Sequence, residues 1–297
     1  MIDKLQFLLA LAREKHFGRA AQACGVTQPS LSGGIKQFEE MLGVVLVNRG
    51  SRFHGFTPEG ERILEWARRI VGDASAMRQE VRALKQGLVG HLTIAAVPPA
   101  LAMVAQLTIP YHARHPEVTF TVLTRTSTQI EALFENLEID AGITYTDNEA
   151  SGRLRTVPLY REQYRLLTSR TGPLGDRKDV TWAEVGEVPL CLLTPDTQNR
   201  RIIDGYLEAA GAGSAPKLVS DSMIVLFAHV QSGQWSTVMP AGLAEALGLA
   251  DRMSVIPIAG AAPPPTIGLV VPKREPLPPL TAALVVEARR LSEQLDQ

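Results

Sequence analysis

Residues 17–38 read FGRAAQACGVTQPSLSGGIKQF, and the spacing within this stretch decides the fold of the first part of the chain. It describes two short helices joined by a tight turn. Gly18, Ala20, Ala21 and Ala23 keep the first helix slim enough for another to cross it closely. With Phe17 as the first position, Ala21 is the fifth, Gly25 the ninth and Leu31 the fifteenth. A helix-turn-helix needs a methyl at the helix crossing, a residue free to take φ > 0 in the turn, and an apolar plug from the second helix, and these positions supply them in that order. Thr27 is placed to cap the second helix, and Pro29 falls in the first turn, where N–H groups lack intrahelical partners. That helix opens with Gln28, Ser30 and Ser32, short polar groups suited to base edges in a major groove. Gly33 and Gly34 inside it cost about 1 kcal/mol each against alanine. Such a cost suggests close approach of the backbone to another surface such as DNA. The plain alternative is a helical hairpin within a larger core.

Upstream, Leu5, Leu8, Leu9 and Ala12 recur at helical spacing and predict a helix packed on this motif. Downstream, Leu42, Val45, Leu46 and Val47 predict the short strand that opens a wing, with Arg49 to Gly55 as its tip. Arg49 and Arg52 there suit phosphate or minor-groove contact, the alternative being a solvated hairpin. Thr57-Pro58-Glu59 is a strong helix start, with a hydroxyl cap, a first-turn proline and a first-turn acid. From it a helix runs to about Gln86, carrying Ile63, Ala67, Ile70, Ala74, Met77, Val81, Leu84 and Leu88 at alternating spacings of 4 and 3. That heptad seam predicts pairing with a second chain, against the alternative of packing on its own domain.

Gly87 and Gly90 break the helix, and a different architecture follows. Strands are expected at 92–97, 118–124, 140–145, 157–168, 188–193, 217–220, 235–239, 253–258 and 266–271. Helices are expected near 100–114, 127–137, 198–211, 222–232, 241–247 and 277–293. Such alternation predicts doubly wound parallel sheets, and its length predicts two subdomains. Ligands in such sheets bind beyond the carboxyl ends of strands, near helix N-termini. The rule selects Val97-Pro98-Pro99-Ala100, then Arg125 to Gln129 with Ser127 and Thr128, then Thr194 to Arg200 with Thr194 and Thr197. The hydroxyls are neutral anion donors, and Arg125 or Arg200 could add charge. Ser127 and Thr128 could equally cap the helix from about Gln129. The prolines of the first segment, with no hydroxyl, point to a compact effector.

The chain has 297 residues, 45% of them hydrophobic, which is enough for two or three well-packed domains. Its net charge is −1, but residues 1–86 carry thirteen Lys/Arg against nine Asp/Glu, a balance of +4 that the remainder offsets. The basic part is the part that carries the helix-turn-helix. The two cysteines, Cys24 and Cys191, fall in different segments, so no disulfide is expected and a reducing cytoplasm is the natural setting. There is no cleavage-site pattern at the N-terminus and no membrane-length apolar run, so no membrane partner is expected. A phosphate loop, a nucleophile elbow and a metal-spaced Cys/His set are all missing, which argues against an enzyme, a cofactor or a metal site. His112 and His115 read as surface residues, and Gly211-Ala212-Gly213 follows a helix, unlike a dinucleotide fingerprint.

Ala20-Ala21, the run Thr27 to Ser32, Ile35, Glu39, Leu42-Gly43, Leu46, Arg49 and Thr57-Pro58-Glu59-Gly60 together resemble the LysR-type transcriptional regulators. Gly33 and Gly34 depart from the longer polar residues common there, and Val47 from the usual phenylalanine. The resemblance implies a multidomain protein: an all-α-rich winged helix-turn-helix over 1–58, a dimerising linker helix over 59–89, and an α/β effector-binding domain over 90–297. It implies that this last domain is two-lobed and periplasmic-binding-protein-like. Lobe I then takes about 90–161 and 266–297, and lobe II about 162–265, with crossings near Tyr160 to Tyr164 and Ala261 to Ile267. DNA contacts are expected from Thr27, Gln28, Pro29, Ser30, Ser32, Lys36, Arg49 and Arg52. The expected partners are a double-stranded DNA operator, a small anionic effector, and further copies of the chain as a homodimer or homotetramer. The rival readings are a sequence-independent architectural DNA binder and a cytosolic small-molecule-binding α/β protein.

Overall fold

A computed structural model of the chain describes residues 1–49, 53–147, 152–213, 215–260 and 263–295. They form two compact units, the first from residues 1–87 with 132–138, the second from Leu88 onward without that segment.

In the first unit, α1 (Ile2–Glu14), α2 (Phe17–Ala23) and α3 (Gln28–Leu42) close on a core in which Leu8, Leu11, Ala20, Leu31 and Ile35 are fully buried. Gly25 makes the turn at φ 66°, a conformation that a side chain would strain. Thr27 caps α3, its Oγ accepting the Ser30 N–H at 3.4 Å, and Pro29 sits in the first turn. The helix stops at Gly43 in the left-handed region, as helices commonly do.

The wing begins later than the apolar run suggests. Leu42 is still helical, Val44 and Val45 are exposed, and the first strand is β1 (Val47–Arg49), antiparallel to β2 (Phe53–Phe56). The cause is Glu39, a buried carboxylate that accepts the N–H groups of Leu46 and Val47 at 2.9 and 3.1 Å and draws the chain into line only there. Gly50 to Arg52, the expected tip, lie outside the described residues.

Thr57 caps α4 (Pro58–Gln86), accepting the Gly60 N–H at 3.0 Å. Gly60 is needed as glycine, because a Cβ there would collide with the Leu46 carbonyl. The expected heptad seam divides along α4. Leu64, Ala67 and Val71 are buried, and Ile63 and Ile70 pack half-buried on the core of their own unit. Met77, Val81 and Leu84 are exposed, and Leu88 lies beyond the cap at Gly87.

The second unit holds two lobes. The first is a five-stranded sheet in the order β4-β3-β5-β13-β6, built from β3 (Gly90–Ala96), β4 (Val118–Thr124), β5 (Ala141–Tyr145), β6 (Leu154–Arg161) and β13 (Thr266–Pro272). Three helices belong to it: α5 (Leu101–Arg114), the first residues, 127–131, of α6 (Ser127–Glu135), and α11 (Pro279–Leu295). Tyr111 of α5 is buried and donates its hydroxyl to the Leu280 carbonyl of α11, and Arg114 pairs with the buried Glu287. Strands β3, β4 and β5 are parallel, as expected, but β13 is antiparallel to both of its neighbours. It re-enters from the other lobe and so runs the opposite way.

The expected single strand over 157–168 is two strands in different sheets, β6 and β7 (Tyr164–Thr168), parted at Glu162 and Gln163. The second lobe has the order β11-β7-β12-β8, from β8 (Val180–Thr181), β11 (Thr237–Pro240) and β12 (Ser254–Ala259) with β7. A parallel pair, β9 (Cys191–Leu193) and β10 (Leu218–Ser220), continues it through the Cys191 N–H on the Ser236 carbonyl at 2.9 Å. Around them lie α7 (Trp182–Glu187), α8 (Gln198–Ala209), α9 (Met223–Gln231) and α10 (Ala241–Ala246). Neither α7 nor β8 was expected; both are too short to show a period, and α7 is held by a capping box between Thr181 and Glu184. Ala261 and Ala262 of the expected return segment lie outside the described residues.

Candidate functional site

Two surfaces carry the residues singled out above. On the first unit, Gln28, Pro29, Ser30 and Lys36 are exposed along one side of α3 and Ser32 is half-exposed, while Leu31, Ile35 and Phe38 on the other side are buried. The Thr27 hydroxyl lies 2.8 Å from that of Ser30, which ties the cap to the first turn. Lys36 has Glu40 one turn on at 3.9 Å, a solvated pair that leaves its charge available. Gly34 owes its missing side chain to the protein itself: a Cβ would meet the Phe7 ring at 2.9 Å. Gly33 faces open space. Arg49 lies in β1, and Arg52 falls outside the described residues.

The second surface is a cleft between the lobes, enclosing about 50 Å³. Ser127, Glu131, Thr144, Tyr145 and Gln198 line it with polar groups, Ile130, Leu154 and Val270 with apolar ones. Ser127 and Gln198 are the first residues of α6 and α8, so two helix N-termini from different lobes open on one space. Each brings N–H groups without intrahelical partners and a partial positive charge. Capping of α6 falls to neither Ser127 nor Thr128. Thr126 does it, its hydroxyl accepting from the Gln129 N–H at 3.3 Å while the Gln129 side chain accepts from the Thr126 N–H at 3.0 Å. Ser127 is thereby free of the cap, and it accepts the Thr144 hydroxyl at 2.9 Å.

The other expected cleft residues do not line this space. Pro98 to Ala100 form a buried 3₁₀ turn, and Val97, also buried, donates its N–H to Ile143. Thr128 is exposed. Thr197 caps α8 and donates its hydroxyl to the Thr194 carbonyl at 2.8 Å, so local structure engages it. Arg200 is buried and bonded to Asp204 at 2.7 Å and to the Leu193 carbonyl at 3.0 Å, and Arg125 turns back to the Thr124 carbonyl. Thr144 and Tyr145 were not singled out, and Gln198 fell within the Thr194 to Arg200 stretch without being picked from it. The first two end β5, and the strand-end rule finds them when it is applied to the third strand as well as to the first two.

Tyr145 leads from the cleft to the hinge. Its hydroxyl donates to Glu162 at 2.7 Å, beside that of Tyr164 at 2.6 Å on the same oxygen. Burial pushes the Glu162 carboxyl up to about 7 against the pull of the two phenols.

The thiols lie apart from both surfaces. Cys191 is buried, its Sγ facing the carbonyls of Leu226 and Ser236, and burial pushes it up to about 11. Burial also raises Cys24, against an opposing effect of Arg13.

Residues 2–61 match the family model described as the bacterial regulatory helix-turn-helix protein of the lysR family, and residues 85–292 match the LysR substrate binding domain. The chain belongs to the LysR family. OxyR of Escherichia coli, a DNA-binding transcriptional dual regulator, is 28% identical over 93% of this chain and 90% of its own length. A full-length OxyR variant from Pseudomonas aeruginosa has a similar structure, with a TM-score of 0.77 at 24% identity over 97% of this chain and 94% of that one. Full-length CbnR in complex with its target DNA has a TM-score of 0.61 at 24% identity, covering 98% and 99%. Membership of this LysR family makes the chain a transcriptional regulator with a winged helix-turn-helix and an effector-binding domain, and not an enzyme. Among the described residues no helix is long and apolar enough to cross a membrane.

Proposed function

We propose that this regulator reads a double-stranded operator through the first turn of α3 and takes a small anion in the cleft beside Ser127 and Gln198. In this reading residues 1–58 hold DNA, 59–89 join copies of the chain and 90–297 hold the effector, at work in the cytoplasm. The observation that carries it is the convergence of two helix N-termini from different lobes on one cavity that also has a Ser–Thr hydroxyl pair. Glu131 also lines the cavity, which favours an anion whose charge sits at the Ser127 end and disfavours one charged along its length. A space of about 50 Å³ holds a few waters in this arrangement, so the effector is compact or enters as the lobes part. The exposed half of α4, with Met77, Val81 and Leu84, is the surface for homodimer or homotetramer formation.

Several relatives are named as hydrogen peroxide-inducible genes activators, which suggests thiol oxidation as a second mode of sensing. The thiols of this chain speak against it. A cysteine reacts as its thiolate, and burial disfavours the thiolate of Cys191 and of Cys24 alike. The proposal therefore takes reversible occupancy of the cleft as the sensing mode.

The test is a thermal-shift screen of small carboxylates and phosphates on the full chain, with calorimetry on any hit. Binding weakened in Ser127→Ala supports the cleft; undiminished affinity places the ligand elsewhere. Salt titration on operator and random duplexes decides the DNA part, since an architectural binder loses affinity equally on both.

A further inference from the structure

Glu162 lies where the chain crosses from the first lobe to the second, between β6 and β7, and its N–H donates to the Pro265 carbonyl on the returning segment at 2.8 Å. It is fully buried. One carboxyl oxygen receives Tyr145 from β5 of the first lobe and Tyr164 from β7 of the second, at 2.7 and 2.6 Å. Asn199 of α8 spans the two phenols at 3.4 and 3.5 Å. The other oxygen, Oε1, is buried and has no partner. The two lobes thus meet on one carboxyl oxygen, β5 of the first through Tyr145 and β7 of the second through Tyr164, while Asn199 of α8 bonds the phenols and Pro265 the Glu162 backbone. Relative motion of the lobes must move Tyr145 against Tyr164 and Asn199, so it cannot leave this cluster intact.

Among the described residues no cation compensates the carboxyl. The ionisable groups that face it are Tyr145, Tyr160 from β6, Tyr164, and Tyr206 from α8, where Asp147 adds a second negative charge. Of the neighbouring arginines, Arg161 is exposed and Arg165 donates to the Tyr164 carbonyl and to Gln163. Among the described residues no lysine, arginine or histidine bonds to Glu162. An ionised carboxylate here has two donors on one oxygen, none on the other and no counter-charge, and burying such a charge is far more costly than burying the neutral acid.

We infer that Glu162 is a proton-operated latch between the lobes: protonated, it holds the arrangement seen here, and ionised, it favours one that admits water or a cation to its bare oxygen. The latch works without any effector and does not rest on the anion reading. The upward displacement of this carboxyl towards neutrality puts its operation near physiological pH.

The test is the interlobe distance in the full-length protein by spin labels on exposed positions of α8 and α11, in E208C/R289C with Cys24→Ser. From about pH 6 to about pH 8 the distance distribution should shift in the parent, and Glu162→Gln, which mimics the protonated acid, should keep the low-pH distribution throughout. A parent distribution that does not move, or the same shift in Glu162→Gln, overturns the latch. Should Glu162→Gln fail to fold, Tyr145→Phe with Tyr164→Phe decides. Loss of both donors to the carboxylate must move the transition to higher pH, and a transition that stays in place overturns the inference.

Discussion

The reading helix and the cleft are built on opposite plans. In α3, one helix fixes both faces: Leu31, Ile35 and Phe38 anchor it while Gln28, Ser30 and Lys36 face outward. Of the outward groups, Ser30 also serves the fold, through the Thr27 cap. In the cleft, Ser127, Thr144, Gln198 and Val270 come from distant parts of the chain, and Tyr145 serves at once as wall and as hinge contact. In the proposed function the helix largely separates binding from folding. In that same proposal the cleft joins binding to folding and to motion, which a sensor needs and a reading head does not.

The largest expected effect breaks the helix from beneath. Leu31 is fully buried, so Leu31→Ala should destabilise the first unit by about 2–5 kcal/mol through lost contacts and a cavity, and abolish binding to every duplex. The second unit should keep its own unfolding transition, followed by near-ultraviolet circular dichroism of Trp182. If both units unfold together in the variant, the separation drawn here fails.

The next effect belongs to the hinge. The Glu162 carboxyl is raised from 4.5 to about 7, so the folded state binds its proton more tightly than the unfolded chain does. The resulting stabilisation is complete below the unfolded value and is lost as pH rises through the folded one, a fall of at most about 3 kcal/mol. Denaturant unfolding of the sensor across this window should show the decline, and Glu162→Gln should flatten it. A decline of the same slope in Glu162→Gln would assign it to other groups.

On the outward face of α3, Gln28→Ala should lower discrimination between operator and random DNA by about 1–3 kcal/mol and leave folding unchanged. Equal losses on both duplexes would make Gln28 a backbone contact and not a base reader.

How far the sequence could be read follows the same division. The helix-turn-helix was legible because its core, turn and cap lie within Phe17 to Leu42, where spacing is geometry. The seam of α4 showed its period but not its fate: Ile63 and Ile70 found their own domain and Met77, Val81 and Leu84 did not, and a heptad pattern is the same in both cases. The strand over 157–168 hid a change of sheet, because Glu162 is buried as fully as the apolar residues around it and breaks no pattern of burial. In the cleft, strand ends predicted the neighbourhood and Ser127. They missed Thr144 and gave Gln198 only as part of a stretch, since which side chain faces the space depends on the crossing of the lobes.

The smallest effect tests that last point. Ser127 and Thr128 look interchangeable in sequence, yet Ser127 faces the cleft with Thr144 on its hydroxyl while Thr128 is exposed. Thr128→Val should therefore leave effector affinity unchanged. Ser127→Ala should weaken it by about 1 kcal/mol, the net value of one hydrogen bond, because the freed Thr144 hydroxyl can turn to the ligand in its place. Removing both hydroxyls, in Ser127→Ala with Thr144→Val, should then cost more than the sum of the single losses, which calorimetry on the three variants can read as a coupling. Equal effects for Ser127→Ala and Thr128→Val would mean that the effector meets the start of α6 from outside the cleft, and the contrast between an open reading face and an enclosed sensing one would fall with it.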